Sequence, residues 1–321
     1  MIDITLENFE SDLIKDSIQQ PILLDIWAEW CGPCKALGPV LEKLEVEYAG
    51  RFKLAKVNAD TQPEIAGQLS QMFGVRSIPF CVMFAGGQPV DGFVGALPEG
   101  KIREFLDKHV PSPGELESET ETLEAEQAAA DGDTETAVSK LLEALERDPQ
   151  NDEARFELIK LLLAHGQVVG AKEIFEPIAS RGAGPAPEAR VAAFGRYIDA
   201  VMAALSARPL EELQTAIATN KRDFEARLEL AQTLIAAGEF TQAMDELLEI
   251  IMRDKKWNDE AARKTYVALL EVMSKPPAKP SAAAPGGADG KPKLEIAGKH
   301  EVLSNDPIID QYRRKLSMAL F

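Results

Sequence analysis

The sequence predicts an α/β domain over residues 1–110, followed by an all-α helical solenoid over residues 125–273. Three observations support this division. Short apolar runs alternate with amphipathic segments in the first region, which is typical of a sheet flanked by helices. Small and apolar residues recur 34 positions apart in the second region, which is typical of stacked helical hairpins. Pro111, Pro113 and Gly114, with the acidic residues after them, predict a linker over residues 111–124.

In residues 1–110, apolar runs predict strands, and apolar residues three and four positions apart predict helices. Gly86 and Gly87 indicate a hairpin turn between the last two strands. The predicted elements, in order, are a strand at 4–6, a helix at 9–17, a strand at Ile22–Trp27, a helix at 34–48, a strand at 52–57, a helix at Pro63–Phe73, strands at 80–84 and 90–94, and a helix at 101–109.

Cys31 and Cys34 form a Cys-Gly-Pro-Cys motif where the apolar run Ile22–Trp27 gives way to a helical pattern. This spacing lets the two sulfurs approach closely enough for a disulfide, and a helix start favours thiolate over thiol. We therefore predict that Cys31, at the mouth of the helix, is the nucleophile. Cys34, one turn inside and less exposed, should resolve the mixed disulfide. Pro33 fits the first helical turn, where a missing N–H is tolerated.

Two other uses of the cysteine pair are less consistent with the sequence. A structural zinc site needs four ligands, and the remaining Cys and His residues are scattered: Cys81, His109, His165 and His300. A purely structural disulfide over so short a loop would constrain the unfolded chain little. We therefore predict no metal and no cofactor beyond the reversible Cys31–Cys34 disulfide.

Composition narrows the classes of partner and compartment. The net charge of −18 argues against nucleic acid, because an acidic surface repels phosphate. The first residues lack the basic and apolar regions of a signal peptide, and no apolar run reaches membrane-spanning length. We expect a soluble, cytoplasmic protein without a membrane partner, in a compartment where a Cys-x-x-Cys motif is catalytic rather than structural.

Asp25 interrupts the apolar strand predicted at Ile22–Trp27. Burial of an unpaired carboxylate is unfavourable, so the pKa of Asp25 should be raised, and the carboxylate could accept the proton of Cys34 during resolution. Lys56, on the adjacent predicted strand, is the expected partner of Asp25. The alternatives are a stabilising salt bridge for Asp25 and a solvated surface position for Lys56.

Residues 24–35, LDIWAEWCGPCK, resemble the active-site segment of the thioredoxin family, and the resemblance continues at residues 56–58, 60, 74–79 and 93–96. It covers the first third of the chain and implies a thioredoxin fold with disulfide-exchange activity. It also implies that Pro79 forms a cis peptide bond facing the dithiol, which leaves the backbone of Ile78 free to pair with an extended substrate. Trp30 and Gly95 would line the apolar landing surface. Cys81, in the following strand, should be a buried, inert thiol, with a third redox cysteine as the alternative.

The second region contains tetratricopeptide-like repeats. Gly132, Ala137 and Leu141 recur as residues 166, 171 and 175, and residues 153–158 (EARFEL) return as residues 225–230 (EARLEL), 72 positions later. Such hairpins stack into a solenoid whose concave face binds other proteins. That binding role is inferred from architecture alone.

The end of the chain has a different composition. Residues 274–305 are rich in Pro, Ala, Gly and Lys, which predicts a disordered tether. Residues 306–321 predict an amphipathic helix with Asp306 as N-cap and Pro307 at its first position. Its apolar face either caps the last repeat or enters the groove of a partner. That face consists of Ile309, Tyr312, Leu316 and Leu320.

The thioredoxin-like domain, the acidic repeats and the terminal helix with Tyr-Arg-Arg-Lys-Leu together resemble the CnoX (YbbN) family of bacterial chaperedoxins. The resemblance implies a holdase that binds unfolded clients, protects their cysteines through mixed disulfides and passes them to the chaperones GroEL and DnaK. It also implies that the terminal helix contacts the chaperonin. Two other functions stay open. One is a plain protein-disulfide reductase, with thioredoxin reductase as a candidate electron donor and repeats that recruit a partner; the other is a non-catalytic interaction scaffold.

Overall fold

The computed structural model describes residues 1–274 and 306–320. These residues form two compact units, the first containing residues 1–116 and the second containing residues 117–274 and 306–320. The predicted tether at 274–305 lies, apart from Ser274, outside the described residues, as does Phe321. No helix in the described ranges is long and apolar enough to cross a membrane.

The first unit is a five-stranded mixed sheet with helices on both faces. Its strands lie in the order β1-β3-β2-β4-β5; β3 is parallel to β1 and β2, whereas β4 is antiparallel to β2 and β5. The elements are β1 (Ile2–Asp3), α1 (π-helical at Phe9–Lys15 and α-helical at Asp16–Gln19), β2 (Ile22–Trp27), α2 (Gly32–Glu47), β3 (Lys53–Asn58), α3 (Pro63–Phe73), β4 (Phe80–Ala85), β5 (Gln88–Val94) and α4 (Glu99–Leu106).

The first strand differs from the prediction at residues 4–6. The structure has strand pairing at Ile2–Asp3, and the chain leaves the ladder after the Ile4 N–H donates to the Lys56 carbonyl at 2.8 Å. The Thr5 N–H is instead bound by the side chain of Asn8 at 2.7 Å. This local turn withdraws the next donor from the sheet, which ends the strand early.

Both faces of the sheet are covered, so its central strand is almost entirely apolar. Leu23 in β2 packs with Leu37 and Leu41 of α2 on one face, while Leu24 and Ile26 belong to the core on the other. Asp25 is the exception in this strand, and it shares the α2 face with Leu23 because side chains alternate along a strand. The fold therefore places one carboxyl group beneath the helix that carries the cysteines.

The predicted linker at 111–124 is wrong for most of its length, because α5 spans Pro113–Ala130. Ser112 and Glu115 cap its first turn reciprocally, with N–H to side-chain distances of 2.6 and 3.2 Å, and Pro113 occupies the first helical position. Arg147 binds Glu121 of this helix at 2.7 Å. The acidic residues that predicted a linker therefore belong to a capped helix, and Glu121 among them has a basic partner.

The second unit continues with α6 (Thr134–Arg147), α7 (Asp152–Ala164), α8 (Val168–Phe175), a 3-10 turn (Glu176–Gly182), α9 (Ala189–Ala204), α10 (Leu210–Thr219), α11 (Phe224–Ala236), α12 (Phe240–Arg253), α13 (Trp257–Met273) and α14 (Pro307–Leu320). The 72-residue repeat has a structural basis. The side chains of Asn151 and Asp223 cap α7 and α11 in the same way. Each accepts a hydrogen bond at 3.0 Å from the backbone N–H three residues later in the chain. An α/β domain followed by tetratricopeptide-like helices is thus confirmed.

The later helices pack as a closed group rather than a simple ladder of hairpins. Helix α9 contacts both α11 and α13, and α12 also contacts both of these. Tyr266 of α13 and Phe194 of α9 are fully buried in the shared core. Helix α13 therefore returns to an earlier hairpin, which the repeat spacing alone did not predict.

Helix α14 packs on α12 and α13. Ile309 and Tyr312 are buried, and Leu316 and Leu320 pack against the same core. The prediction that this face contacts a partner is therefore wrong for the docked helix, and the capping alternative describes the structure. Burial of this apolar stripe within the unit removes it from water, which stabilises the docked arrangement.

Candidate active site

The two cysteines lie at the junction between β2 and α2. Cys31 is the N-cap of α2 and Cys34 is its third residue, and the two form a disulfide. The Cys34 N–H points at the Cys31 sulfur, with an N to Sγ distance of 3.2 Å. An N-cap sulfur meets the unpaired N–H groups and partial positive charge of the helix start. After reduction, this position favours a thiolate on Cys31.

Exposure does not distinguish the two cysteines, because each is 4% exposed. The expectation that Cys34 is the less exposed of the pair is wrong, so its assignment as resolving cysteine depends on its place inside the first turn. Ala28 is buried with them, and Trp27 and Ile78 pack against the group. These neighbours make the surroundings of the disulfide apolar.

The predicted substrate-binding residues lie on three segments of the first unit. The Ile78–Pro79 peptide bond is cis, and the Pro79 carbonyl accepts the Gly95 N–H at 2.8 Å. Pro33 is exposed in the first turn of α2. Trp30 is 72% exposed, and its indole N–H donates to Asp60 at 3.0 Å.

Ile78 is the predicted binding residue that packs directly on the cysteine group. Pro79 and Gly95 are joined to each other, and Trp30 is anchored by the loop after β3. Sequence reasoning missed the role of Asp60 as the indole acceptor and the exposure of Val94, an apolar side chain beside Gly95. An apolar residue at the end of an edge strand was the available signal for Val94.

Asp25 is 1% exposed, and burial raises its pKa to about 6. The positive charge of Lys56 and a hydrogen bond from Cys81 oppose this rise and favour the carboxylate. Lys56 and Cys81 are the register partners of Asp25 on β3 and β4. The three side chains therefore form a row across the sheet, on the face that α2 covers. The raised pKa predicted from the sequence agrees with this burial.

Lys56 does not form its ion pair with Asp25. Its ammonium lies 2.7 Å from the Glu42 carboxylate of α2, and the side chain is mostly buried. The expected direct pairing is thus replaced by a longer-range interaction in which Lys56 lowers the pKa of Asp25 through its charge. The sequence analysis did not consider Glu42, on α2, as a competing partner for Lys56.

Cys81 is fully buried and is not in a disulfide. Its sulfur lies 3.7 Å from Oδ1 of Asp25, within range for an S–H donor. Burial, followed by the negative charge of Asp25, raises the pKa of the Cys81 thiol well above its usual value. The thiol is therefore buried, free and held in its protonated form, as the sequence predicted for an inert cysteine. The sequence did not predict its hydrogen bond to Asp25.

Among the described residues, one group of carboxylates is close enough to suggest a cation: Glu126, Glu153 and Glu157, with oxygens within 4.8 Å of one another. Arg190 lies 3.4 Å from Glu153 and supplies positive charge. Acidic groups of this kind are common without an ion, so this cluster does not indicate a metal site.

Comparison with protein families agrees with the two units. The sequence profile of the family described as Thioredoxin matches residues 1–108. Two profiles described as Tetratricopeptide repeat match residues 128–194 and 203–283.

Curated relatives resemble the first third of the chain. The chain is 43% identical over 106 residues to a thioredoxin of Chlorobaculum thiosulfatiphilum, covering 33% of this chain and 93% of that protein. It is 39% identical over 107 residues to thioredoxin 1 of Nostoc sp., covering 33% of this chain and 94% of that protein. It is 45% identical over 103 residues to a thioredoxin of Haemophilus influenzae, covering 32% and 91%.

Proposed function

The chain belongs to the thioredoxin family, and from this premise we propose that it acts as a redox-active co-chaperone of the CnoX (YbbN) type. Its first unit is a thioredoxin-like thiol-disulfide oxidoreductase with a Cys31–Cys34 pair. Its second unit carries tetratricopeptide repeats, which bind proteins. The observation that carries the proposal is the presence of both units in one chain, because each client bound by the repeats is then kept near the dithiol.

The redox chemistry needs two exchanges. A Cys31 thiolate attacks a client disulfide, an S–S bond forms between Cys31 and the client, and the client's other sulfur leaves as a thiolate. Cys34 then gives its proton to the Asp25 carboxylate and attacks the Cys31 sulfur. The bond to the client breaks, and the client sulfur leaves and takes up a proton from solvent. The client gains two electrons, and the Cys31–Cys34 disulfide is restored with two electrons lost.

The client segment would bind across the apolar surface beside the disulfide. Ile78 contributes backbone groups for strand-like pairing, and Trp30 contributes a large exposed ring. Pro33, Pro79 and Gly95 would complete this surface. Thioredoxin reductase is the proposed electron donor that reduces the disulfide again.

The second unit has a surface suited to unfolded chains. Met202 near the end of α9, Leu205 in the connection to α10 and Leu210 at the start of α10 are exposed apolar residues, and Leu205 is 70% exposed. Adjacent to this stretch is a cleft of about 560 Å³. Its lining combines Leu228 and Trp257 with carboxylates and an amide: Glu225, Glu229 and Gln232. Exposed apolar side chains next to a cleft support the binding of apolar client segments.

Clients would be passed to GroEL and DnaK, and the contact with the chaperonin GroEL would use the terminal helix. Because Ile309 and Tyr312 are buried in the docked state, we place the contact on the outer face of α14. Ile308 and Met318 are exposed there, and Met318 is 75% exposed. Gln311, also exposed, lies between them on the same helical face.

The test separates reduction from holding. Cys34→Ser in the full chain should trap clients on Cys31 as mixed disulfides, whereas Cys31→Ser should reduce insulin disulfides at least about a thousand times more slowly than the parent. A Cys31→Ser, Cys34→Ser protein should still suppress aggregation of a cysteine-free client. Loss of that suppression would leave a plain reductase, and absence of insulin reduction by the parent protein, with thioredoxin reductase supplied, would leave a non-catalytic scaffold.

A further inference from the structure

Three polar side chains lie in one row across the first unit, beneath the helix that carries the cysteines. Lys56 on β3, Asp25 on β2 and Cys81 on β4 are register partners. Their neighbours along the same face, such as Leu23 and Met83, are buried apolar residues. A polar row in such a core needs an explanation, because buried polar groups are unfavourable unless they are hydrogen-bonded.

We propose that Cys81 is a positioning residue for disulfide exchange, whose thiol hydrogen bond holds the Asp25 carboxylate in its ionised form and in a fixed orientation to accept the proton of Cys34. This inference rests on the proposed role of Asp25 as proton acceptor. Cys81 does not exchange disulfides itself, and it acts only through Asp25.

The geometry assigns the donor role to Cys81. Its sulfur is 3.7 Å from Oδ1 of Asp25, and neither residue has meaningful contact with solvent. The ammonium of Lys56, on the other side, is bound by Glu42 at 2.7 Å. Lys56 therefore acts on Asp25 through charge, while the thiol supplies a directed contact.

The thiol is suited to this role because it remains protonated. Burial and the adjacent carboxyl keep its pKa well above the usual value, so the proton stays on sulfur while Asp25 ionises. Cys81 is also too enclosed to reach a client, as it is 0% exposed. A hydroxyl would be a stronger donor but has a shorter bond to carbon, and an apolar side chain would leave Oδ1 without this donor.

The consequence is a shift in the pH dependence of the resolution step. Asp25 accepts a proton only when ionised, so the rate should rise as pH passes through its pKa, near 6. Loss of the thiol donor disfavours the carboxylate and moves this rise to higher pH. The charged and titratable groups around Asp25 are otherwise unchanged: Lys56 on β3, Glu42 on α2, and the Cys31–Cys34 pair at the start of α2.

The experiment uses the full chain and measures single-turnover reduction of an oxidised peptide from pH 5 to 9. Cys81→Val removes the donor and keeps a side chain of similar size. In this variant the increase in rate at low pH should shift to higher pH by about half a unit. Cys81→Ser, which keeps a hydroxyl donor, should show a smaller shift than Cys81→Val. Met83→Leu, a matched change two positions along the same face, should leave the profile in place. Cys81→Ala gives the same test without added volume if the valine is poorly accommodated.

An Asp25→Asn background separates the two levels of the proposal. There the Cys81→Val change should shift nothing further, because its effect passes through Asp25. A Cys81→Val profile that superimposes on the parent overturns the positioning role alone. A shift of equal size in Met83→Leu also overturns it, because packing then explains the change. If Asp25→Asn leaves the parent profile unaltered, the proton-accepting role of Asp25 fails, and the proposal for Cys81 fails with it.

Discussion

Asp25 in the first unit and Arg227 in the second are both charged residues in apolar cores, being 1% and 6% exposed. Their surroundings differ. Arg227 donates to the Lys221 carbonyl at 3.1 Å and forms an ion pair with Glu246 of the next helix. Asp25 has one weak S–H donor and a lysine bound to another acid.

This difference separates a structural charge from a reactive one. Arg227 joins α11 to the preceding turn and to α12, and its repeat counterpart Arg155 donates to the Ile174 and Pro149 carbonyls at 2.8 and 2.7 Å. Arg155 and Arg227 are therefore structural charges, whose partners lie within the second unit. Asp25 is held with few partners, so its proton affinity is raised into the range where exchange with a thiol is useful.

The largest stability change should come from breaking the well-paired charge. In Arg227→Ala, Glu246 loses its partner and the Lys221 carbonyl loses a donor, which should destabilise the second unit by roughly 3 to 4 kcal/mol. Hydrogen exchange of the α11 and α12 amides in the full chain measures this unit. Arg253→Ala is the matched control, because Arg253 binds Glu249 from an exposed position and should change stability by no more than about 0.5 kcal/mol. Equal effects of the two variants would show that burial of Arg227 contributes nothing.

The second change should have the opposite sign. The folded pKa of Asp25, about 6, is above its ordinary value of 3.8, so the folded state binds more protons than the unfolded state between these values. Stability is therefore lost as pH rises from 4 to 6, and the loss is complete above the folded pKa. Asp25→Asn removes this loss and should stabilise the first unit by roughly 2 to 3 kcal/mol at pH 8, and by about a third of that at pH 4.5.

Hydrogen exchange of the β2 and β3 amides, with the Cys31–Cys34 disulfide kept oxidised, checks this pH dependence. Asp16→Asn is the control, because Asp16 is a half-exposed acid that binds Lys53 at 3.0 Å. A gain from Asp25→Asn that is equal at both pH values would mean that packing, rather than ionisation, is responsible. Asp25→Asn should also slow resolution by Cys34, because it removes the proton acceptor. Asp25 would then lower the stability of the first unit in return for activity.

Much of the first unit could be predicted from the sequence, because apolar periodicity reports which side chains face a core. Strand Ile22–Trp27 and helix Pro63–Phe73 were predicted with the bounds that the structure has. The position of the cysteine pair at a helix start was predicted from the change from an apolar run to a helical pattern at that point. Asp25 was recognisable because a carboxyl group interrupted an apolar strand.

The rest depended on contacts between distant parts of the chain. Lys56 was expected beside Asp25, but the register that joins them does not exclude a nearer acid, Glu42. Helix α5 was missed because Pro, Gly and acidic residues serve a capped helix as well as a linker. The docking of α14 could not be decided from its own apolar stripe, because the groove that receives it is formed by α12 and α13.

The smallest effect should come from a buried polar contact that has several substitutes. Tyr312 donates its hydroxyl to Asp245 at 3.1 Å, and Lys315 binds the same carboxylate at 2.8 Å while lying over the Tyr312 ring. Tyr312→Phe keeps the ring and loses only the hydroxyl, so it should weaken docking of α14 by about 1 kcal/mol and make its amides exchange about five times faster. Gln311→Ala, on the exposed face, should leave exchange unaltered. If exchange in Tyr312→Phe matches the parent, Lys315 alone satisfies Asp245, and the paired charges of the second unit tolerate more loss than the comparison with Asp25 implies.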